Sequence, residues 1–140
     1  RISQGETGMS KPNYGITKEL PDVEFDQAID KTIAALKEQG FGVLTDIDVK
    51  DTLKKKLDVD VKRYRILGAC NPPLAHKALQ AEEFLGLLLP CNVVVIERDE
   101  GGSVVSAIDP AEMFKMVDKP ELGPVAVSVG EKLRRVIGAI

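Results

Sequence analysis

Hydrophobic and polar positions change period several times along the chain, and each change marks an element. Residues 14–19, Tyr-Gly-Ile-Thr-Lys-Glu, form a short β-prone run that stops at Leu20-Pro21-Asp22. Phe25, Ala28, Ile29, Ile33 and Leu36 then recur at helical spacing, with Asp30, Lys31, Lys37 and Glu38 off that stripe, so residues 25–39 are expected to be a helix. Gly40 stands where a helix commonly ends in a left-handed residue. From Phe41 the period drops to two. Phe41, Val43, Thr45, Ile47 and Val49 alternate with Gly42, Leu44, Asp46 and Asp48, which predicts a second strand, solvated towards its end. Val49, Leu53 and Leu57 mark one side of a short helix, and Lys50, Lys54, Lys55 and Lys56 cover the rest.

Residues 62–70 read as a third strand, with Tyr64, Ile66, Gly68 and Cys70 on one face and Arg65, Leu67 and Ala69 on the other. Asn71-Pro72-Pro73 ends it and opens a helix, with Asn71 or Pro72 in the N-cap region, because proline is tolerated in a helix's first turn. Leu74, Ala78, Ala81 and Leu85 continue as a stripe, and the chain leaves the helix near Gly86. Where this helix stops leaves two paths open. A helix from Pro73 to Leu89 would be about 25 Å long and would set Cys70 and Cys91 at opposite ends of the sheet. One ending near Glu83 would let residues 87–97 run as a long strand broken at Pro90, with Cys91 mid-sheet and able to approach Cys70. Val93-Val94-Val95-Ile96 is apolar on both faces and predicts a buried central strand. Residues 99–102 form a turn, and residues 103–108 return as an antiparallel partner. Asp109-Pro110 opens a helix with Met113, Met116 and Val117 on its apolar side. Residues 120–124 read as a linker loop. Val125, Val129, Leu133, Val136 or Ile137, and Ile140 then mark a final amphipathic helix.

The order β-α-β-(α)-β-α-β-β-α predicts an α+β single domain. Its sheet has about five strands, mixed or antiparallel, with helices packed on one face. A length of 140 residues, 44% apolar and 29% charged, suits one folded domain and excludes wholesale disorder. Residues 1–8 read as a cloning remnant ahead of a natural start at Met9, placing the domain at residues 9–140. No signal-peptide core follows Met9, and no apolar run nears the ~18 residues of a membrane helix, so a cytoplasmic protein with reduced cysteines is expected. A net charge of −3 favours neither nucleic acid nor an anionic membrane. Residues 50–65 carry seven basic and three acidic side chains, a local +4. A solvated helix followed by an edge strand accounts for them. An anion or nucleic-acid patch would want interleaved aromatics beyond Tyr64, so no nucleic-acid partner is expected.

Four stretches share a further pattern: Gly40-Phe41-Gly42-Val43-Leu44, Gly68-Ala69-Cys70-Asn71-Pro72, Leu88-Leu89-Pro90-Cys91-Asn92-Val93-Val94-Val95, and Ala107-Ile108-Asp109-Pro110 with Met113. Together they resemble the bacterial and archaeal domain of unknown function 302 family, from about Tyr14 to Ile140. The resemblance implies a compact α+β domain of TATA-binding-protein-like topology, found as a homodimer. Likeness of topology brings no DNA binding with it, and the resemblance implies no activity.

Candidate chemistry is sparse. Cys70 ends a strand before a helix N-terminus, where the field favours a thiolate; the alternative is a small apolar filler. Cys91 heads an apolar strand and reads more as packing. His76 lies in the first turns of the same helix and is the one side chain whose unperturbed pKa is near neutral. With Cys70 and Cys91 it makes three soft or borderline ligands without tight metal spacing; a solvent-facing helix histidine is the plainer reading. Asp109 reads as a helix cap before an acid or base, and Met113 as core before a thioether ligand. No phosphate-binding glycine motif or nucleophile elbow is present. These residues predict a homodimeric ligand- or metal-binding domain with a pocket near Cys70, Asn71, Cys91 and Asp109, with His76 and Met113 secondary. The competing readings are a thiol-dependent enzyme or sulfur carrier using Cys70, and a structural or interaction module.

Overall fold

The computed structural model describes residues 10–140, so the expected start of the domain at Met9 lies outside the described residues. The chain forms β1 (Gly15–Leu20), α1 (Phe25–Glu38), β2 (Gly42–Asp48), α2 (Val49–Leu57), β3 (Tyr64–Cys70) and α3 (Pro72–Ala81). A 3-10 turn (Glu83–Leu88) leads to β4 (Cys91–Glu97), β5 (Ser103–Ile108), a one-turn α4 (Pro110–Met113) and α5 (Gly123–Gly138). The five strands make one sheet in the order β1-β5-β4-β3-β2, and every neighbouring pair is antiparallel.

Local chemistry sets the boundaries. The Glu24 carboxylate accepts from the Asp26 amide at 2.6 Å and starts α1. Gly40 takes φ +83° just after the helix, a conformation that disfavours a side chain. Asp48 caps α2 by accepting from the Asp51 amide at 2.9 Å. Gly101 and Gly102, at φ +102° and +76°, turn β4 into β5.

Leu67, Ala69, Val93, Val95, Val105 and Ala107 project from the strands into one core with the apolar stripes of α1 and α5. On that face the central strands are covered, while the edge strand β2 stays largely exposed. On the other face the alternate residues Tyr64, Ile66, Val94 and Ile96 remain only half-buried. The central position expected for β4 holds, but burial on both faces does not: among the described residues Val94 and Ile96 stay half-buried.

Three further details depart from expectation. Ile33 is 37% exposed, and Thr32 takes the core position instead. Its hydroxyl donates to the Ala28 carbonyl at 2.7 Å, so a polar side chain is buried at no hydrogen-bond cost. The alternation in β2 breaks at Leu44, where a bulge between Val43 and Thr45 leaves Leu44 exposed. The linker expected at 120–124 is a 3-10 turn (Pro120–Leu122) running directly into α5, whose first turn accommodates Pro124.

The basic segment is largely paired. Lys55 meets Asp51 at 3.0 Å, Lys54 meets Asp58 at 2.9 Å, and Arg63 meets Glu97 at 3.1 Å. Arg65 forks onto Asp46, and that hydrogen bond holds the Asp46 carboxyl below the usual carboxylate range.

Candidate functional site

The end of the sheet where β3 stops and β4 starts is built by a reversal of the chain. The Asn71 side chain accepts from the Leu74 amide at 3.3 Å and starts α3, as a cap should. The helix stops at Ala81, because Glu82 takes an extended backbone conformation and its carboxylate accepts from the Phe84 amide at 3.1 Å. The chain then folds as the 3-10 turn rather than extending α3 or lengthening β4. Neither of the two paths expected for this stretch is followed in full. Leu85 still reaches the core, 1% exposed, but does so from the turn.

The consequence is that both cysteines sit at the same end of the sheet. Cys91 is the register partner of Ala69, and Cys70 is the next residue along β3, so the two are diagonal neighbours. Both are free thiols. Burial, and secondarily the neighbouring Cys70, pushes the Cys91 thiol up to about 11, so it is protonated at neutral pH.

Cys70, Asn71 and Cys91 line a cavity of about 310 Å³. Leu74 and Ala78 of α3, Gly86 of the turn, Val125 and Val129 of α5, and Phe41 and Phe114 are among the other residues of its wall. Among the described residues no charged side chain lines it. The one amide in the wall is committed elsewhere: besides capping α3, Asn71 donates through Nδ2 to the Gln39 carbonyl at 3.4 Å. The cavity therefore offers a guest apolar surface and two thiols.

Three residues expected at the site lie outside the cavity lining. Asp109 caps α4, accepting from the Ala111 amide at 3.0 Å, and its other oxygen meets Arg134 at 3.3 Å. His76 is exposed on α3. Met113 packs against the core, and the next residue, Phe114, is the one that reaches the cavity. Among the described residues no group of three or more His, Cys, Asp or Glu side chains is placed to hold a metal ion. The wall residues that sequence reading missed, Phe41, Phe114, Val125 and Val129, carry only the signal of core positions. A cavity wall and a core stripe have the same pattern.

Among the described residues no helix is long and apolar enough to cross a membrane. The four most exposed large apolar side chains are Leu87 at 85%, Phe84 at 72%, Met116 at 71% and Leu44 at 67%. Leu44 lines the cavity, and the other three border a surface depression beside the 3-10 turn.

The structure is similar to the crystal structure of an uncharacterized conserved protein DUF302 from Bacillus stearothermophilus, with a TM-score of 0.83 and 25% identity, covering 91% of this chain and 98% of that chain. No curated protein matches the chain. The family model described as Domain of unknown function DUF302 matches residues 16–140, so the chain belongs to the DUF302 family.

Proposed function

We propose that the protein is a non-catalytic binding domain for a small, uncharged, apolar molecule, held in the cavity beside Cys70 and Cys91. The observation that carries this reading is the chemistry of the wall: about 310 Å³ of space with no charged lining residue and its one amide already hydrogen-bonded. Small-molecule sites are concave, mostly apolar and of about this size. Acid–base catalysis needs a titrating group at the reacting centre, and here His76 is not among the residues lining the cavity and the Cys91 thiol keeps its proton. Cys70, half-buried beside the start of α3, is the thiol on which an electrophilic or soft guest would settle. Two free thiols also suit a reducing compartment, the cytoplasm.

Saturable uptake of the neutral dye N-phenyl-1-naphthylamine tests the site. Ala75 lines the cavity, and Ala75→Leu narrows it without adding charge. The expected result is one dye per chain, lost in Ala75→Leu while its thermal unfolding stays near that of the parent. A non-saturating signal, or one indifferent to the substitution, contradicts the reading.

The exposed apolar residues favour a second element of the proposal, a homodimer through Leu87, Phe84 and Met116. Apolar side chains gathered this openly beside one depression mark a contact surface, and a specific pair of subunits buries at least about 1,000 Å². Light scattering is expected to return twice the mass of the chain, and Leu87→Glu the mass of one. A single-chain mass for the parent protein sinks the dimer and leaves the cavity proposal standing.

A further inference from the structure

The face of the sheet turned away from the helices holds a second cavity, of about 270 Å³, with a different chemistry. The chain contains two tyrosines and no tryptophan, and both tyrosines, Tyr14 and Tyr64, line this space. Its floor is branched aliphatic: Val94, Ile96, Val104 and Ile108. The antiparallel register sets Thr17 opposite Ser106, and their hydroxyls meet at 2.7 Å on that floor. Gly15 keeps the adjoining space clear, since a Cβ there would fall 2.6 Å from the Ser106 hydroxyl.

Two observations narrow the ligand. The first is what is unspent. The Asn92 amide and both tyrosine hydroxyls line the cavity without a hydrogen-bond partner among the described residues. An exposed carboxamide presents an acceptor and a donor side by side, which matches the adjacent donor and acceptor on the edge of a nitrogen heterocycle. Tyr64 on the sheet and Tyr14 in the turn just before β1 offer aromatic faces on which such rings stack. The second is charge. Among the described residues Glu19, the one carboxylate in the lining, is held by Arg98 at 3.4 Å, and Lys11 is the one cation in the lining. A phosphate chain needs several uncommitted cations, and the described residues of this face do not supply them.

We infer that the open face of the sheet binds a neutral, planar nitrogen heterocycle of the purine kind, laid on the aliphatic floor between Tyr14 and Tyr64 with its edge on Asn92. This site lies on the other side of the sheet from the thiol-lined cavity and stands or falls separately from it.

Ring-labelled tyrosine gives a spectrum of two residues, both at the site. Titration with adenosine up to about 5 mM is expected to move both signals along one saturable curve, with half-saturation below about 1 mM, a modest affinity suited to a small open site. Asn92→Ala, at an exposed position, is expected to weaken binding by about fivefold or more, the loss of a two-point contact to a base. Ala75→Leu, in the other cavity, is expected to leave the curve unchanged. The inference is overturned by signals that do not move, or by movement that Asn92→Ala leaves unaltered. It is equally overturned if the signals follow protein concentration and ignore adenosine, since a second copy then covers this face. Tighter binding of oligodeoxyadenylate than of adenosine at the same salt concentration would make the ligand a polyanion and overturn it as well.

Discussion

The two faces of the sheet are cut from nearly the same residues and have opposite fates. From β4, Val93 and Val95 point to the helices and are 0% exposed, while their chain neighbours Val94 and Ile96 point the other way and stay half-buried. The difference lies in the connections. α1, α3 and α5 all gather on the first face, and the second is left as a floor with polar and aromatic residues at its margins. Each face also keeps a cavity suited to its setting. Under the helices the space is lined by uncharged residues, with its amide consumed by helix capping; on the open face Thr17 and Ser106 bond each other and Glu19 is held by Arg98, while the Asn92 and tyrosine side chains stay unspent among the described residues. Apolar sequence sets what a strand is able to bury, and the placing of helices decides which half is buried and which half is available to a guest.

The widest gap between the faces is energetic. Leu67→Ala, at a fully buried position, is expected to cost about 2–5 kcal/mol in urea unfolding, against about 1 kcal/mol for Ile96→Ala, where solvent relaxes into the gap. Equal costs would mean that the open face is covered in solution. The next largest effect is alkaline. Cys91 holds its proton to about 11 in the fold, above the ordinary thiol value of 9.0, so between those values the unfolded chain has lost a proton that the folded chain keeps. Stability is therefore whole below pH 9.0 and falls as pH rises towards 11, by about 1.4 kcal/mol per unit. Cys91→Ala is expected to flatten that slope; a slope that persists assigns it to another group.

The same burial separates the thiols kinetically. Cys70 is expected to alkylate about tenfold or more faster than Cys91 in the native state, because Cys91 is 8% exposed and burial pushes its thiol up to about 11. Single-cysteine variants labelled across pH give the two rates, and equal slow labelling until denaturant is added would make both thiols packing. The smallest effect is at the sheet margin. Arg65 holds the Asp46 carboxyl low by hydrogen bonding, so the pair's contribution is present above the ordinary carboxylate range and is lost as pH falls through the lowered value. Being partly exposed, it is expected to be worth no more than about 1 kcal/mol, read as the loss in Asp46→Asn at pH 7.

Much of the fold was legible because its signals are local. The period change at Gly40, the caps at Asn71 and Asp109 and the double glycine at 101–102 each act within a few residues, and each is found in place. The path after Ala81 was not legible, because Leu85 reaches the core from either a helix or a 3-10 turn, and the choice rests on one extended residue, Glu82. That path decides whether Cys70 and Cys91 meet, so the site inherited its uncertainty. Asp109 caps α4 as its position before Pro110 predicts, and although it lies at the same end of the sheet it does not line the cavity, because its carboxylate is spent on α4 and Arg134. The open-face cavity was invisible for another reason. Tyr14, Tyr64 and Asn92 are scattered in sequence and come together only through strand order and register.

Native mass spectrometry of protein purified without chelator reads directly whether the cavity beside Cys70 and Cys91 holds a small apolar molecule. The expected result is an added mass of one small organic molecule per chain, released by denaturation and absent from Ala75→Leu. A retained metal ion, or a bound mass that survives unchanged in Ala75→Leu, would contradict it.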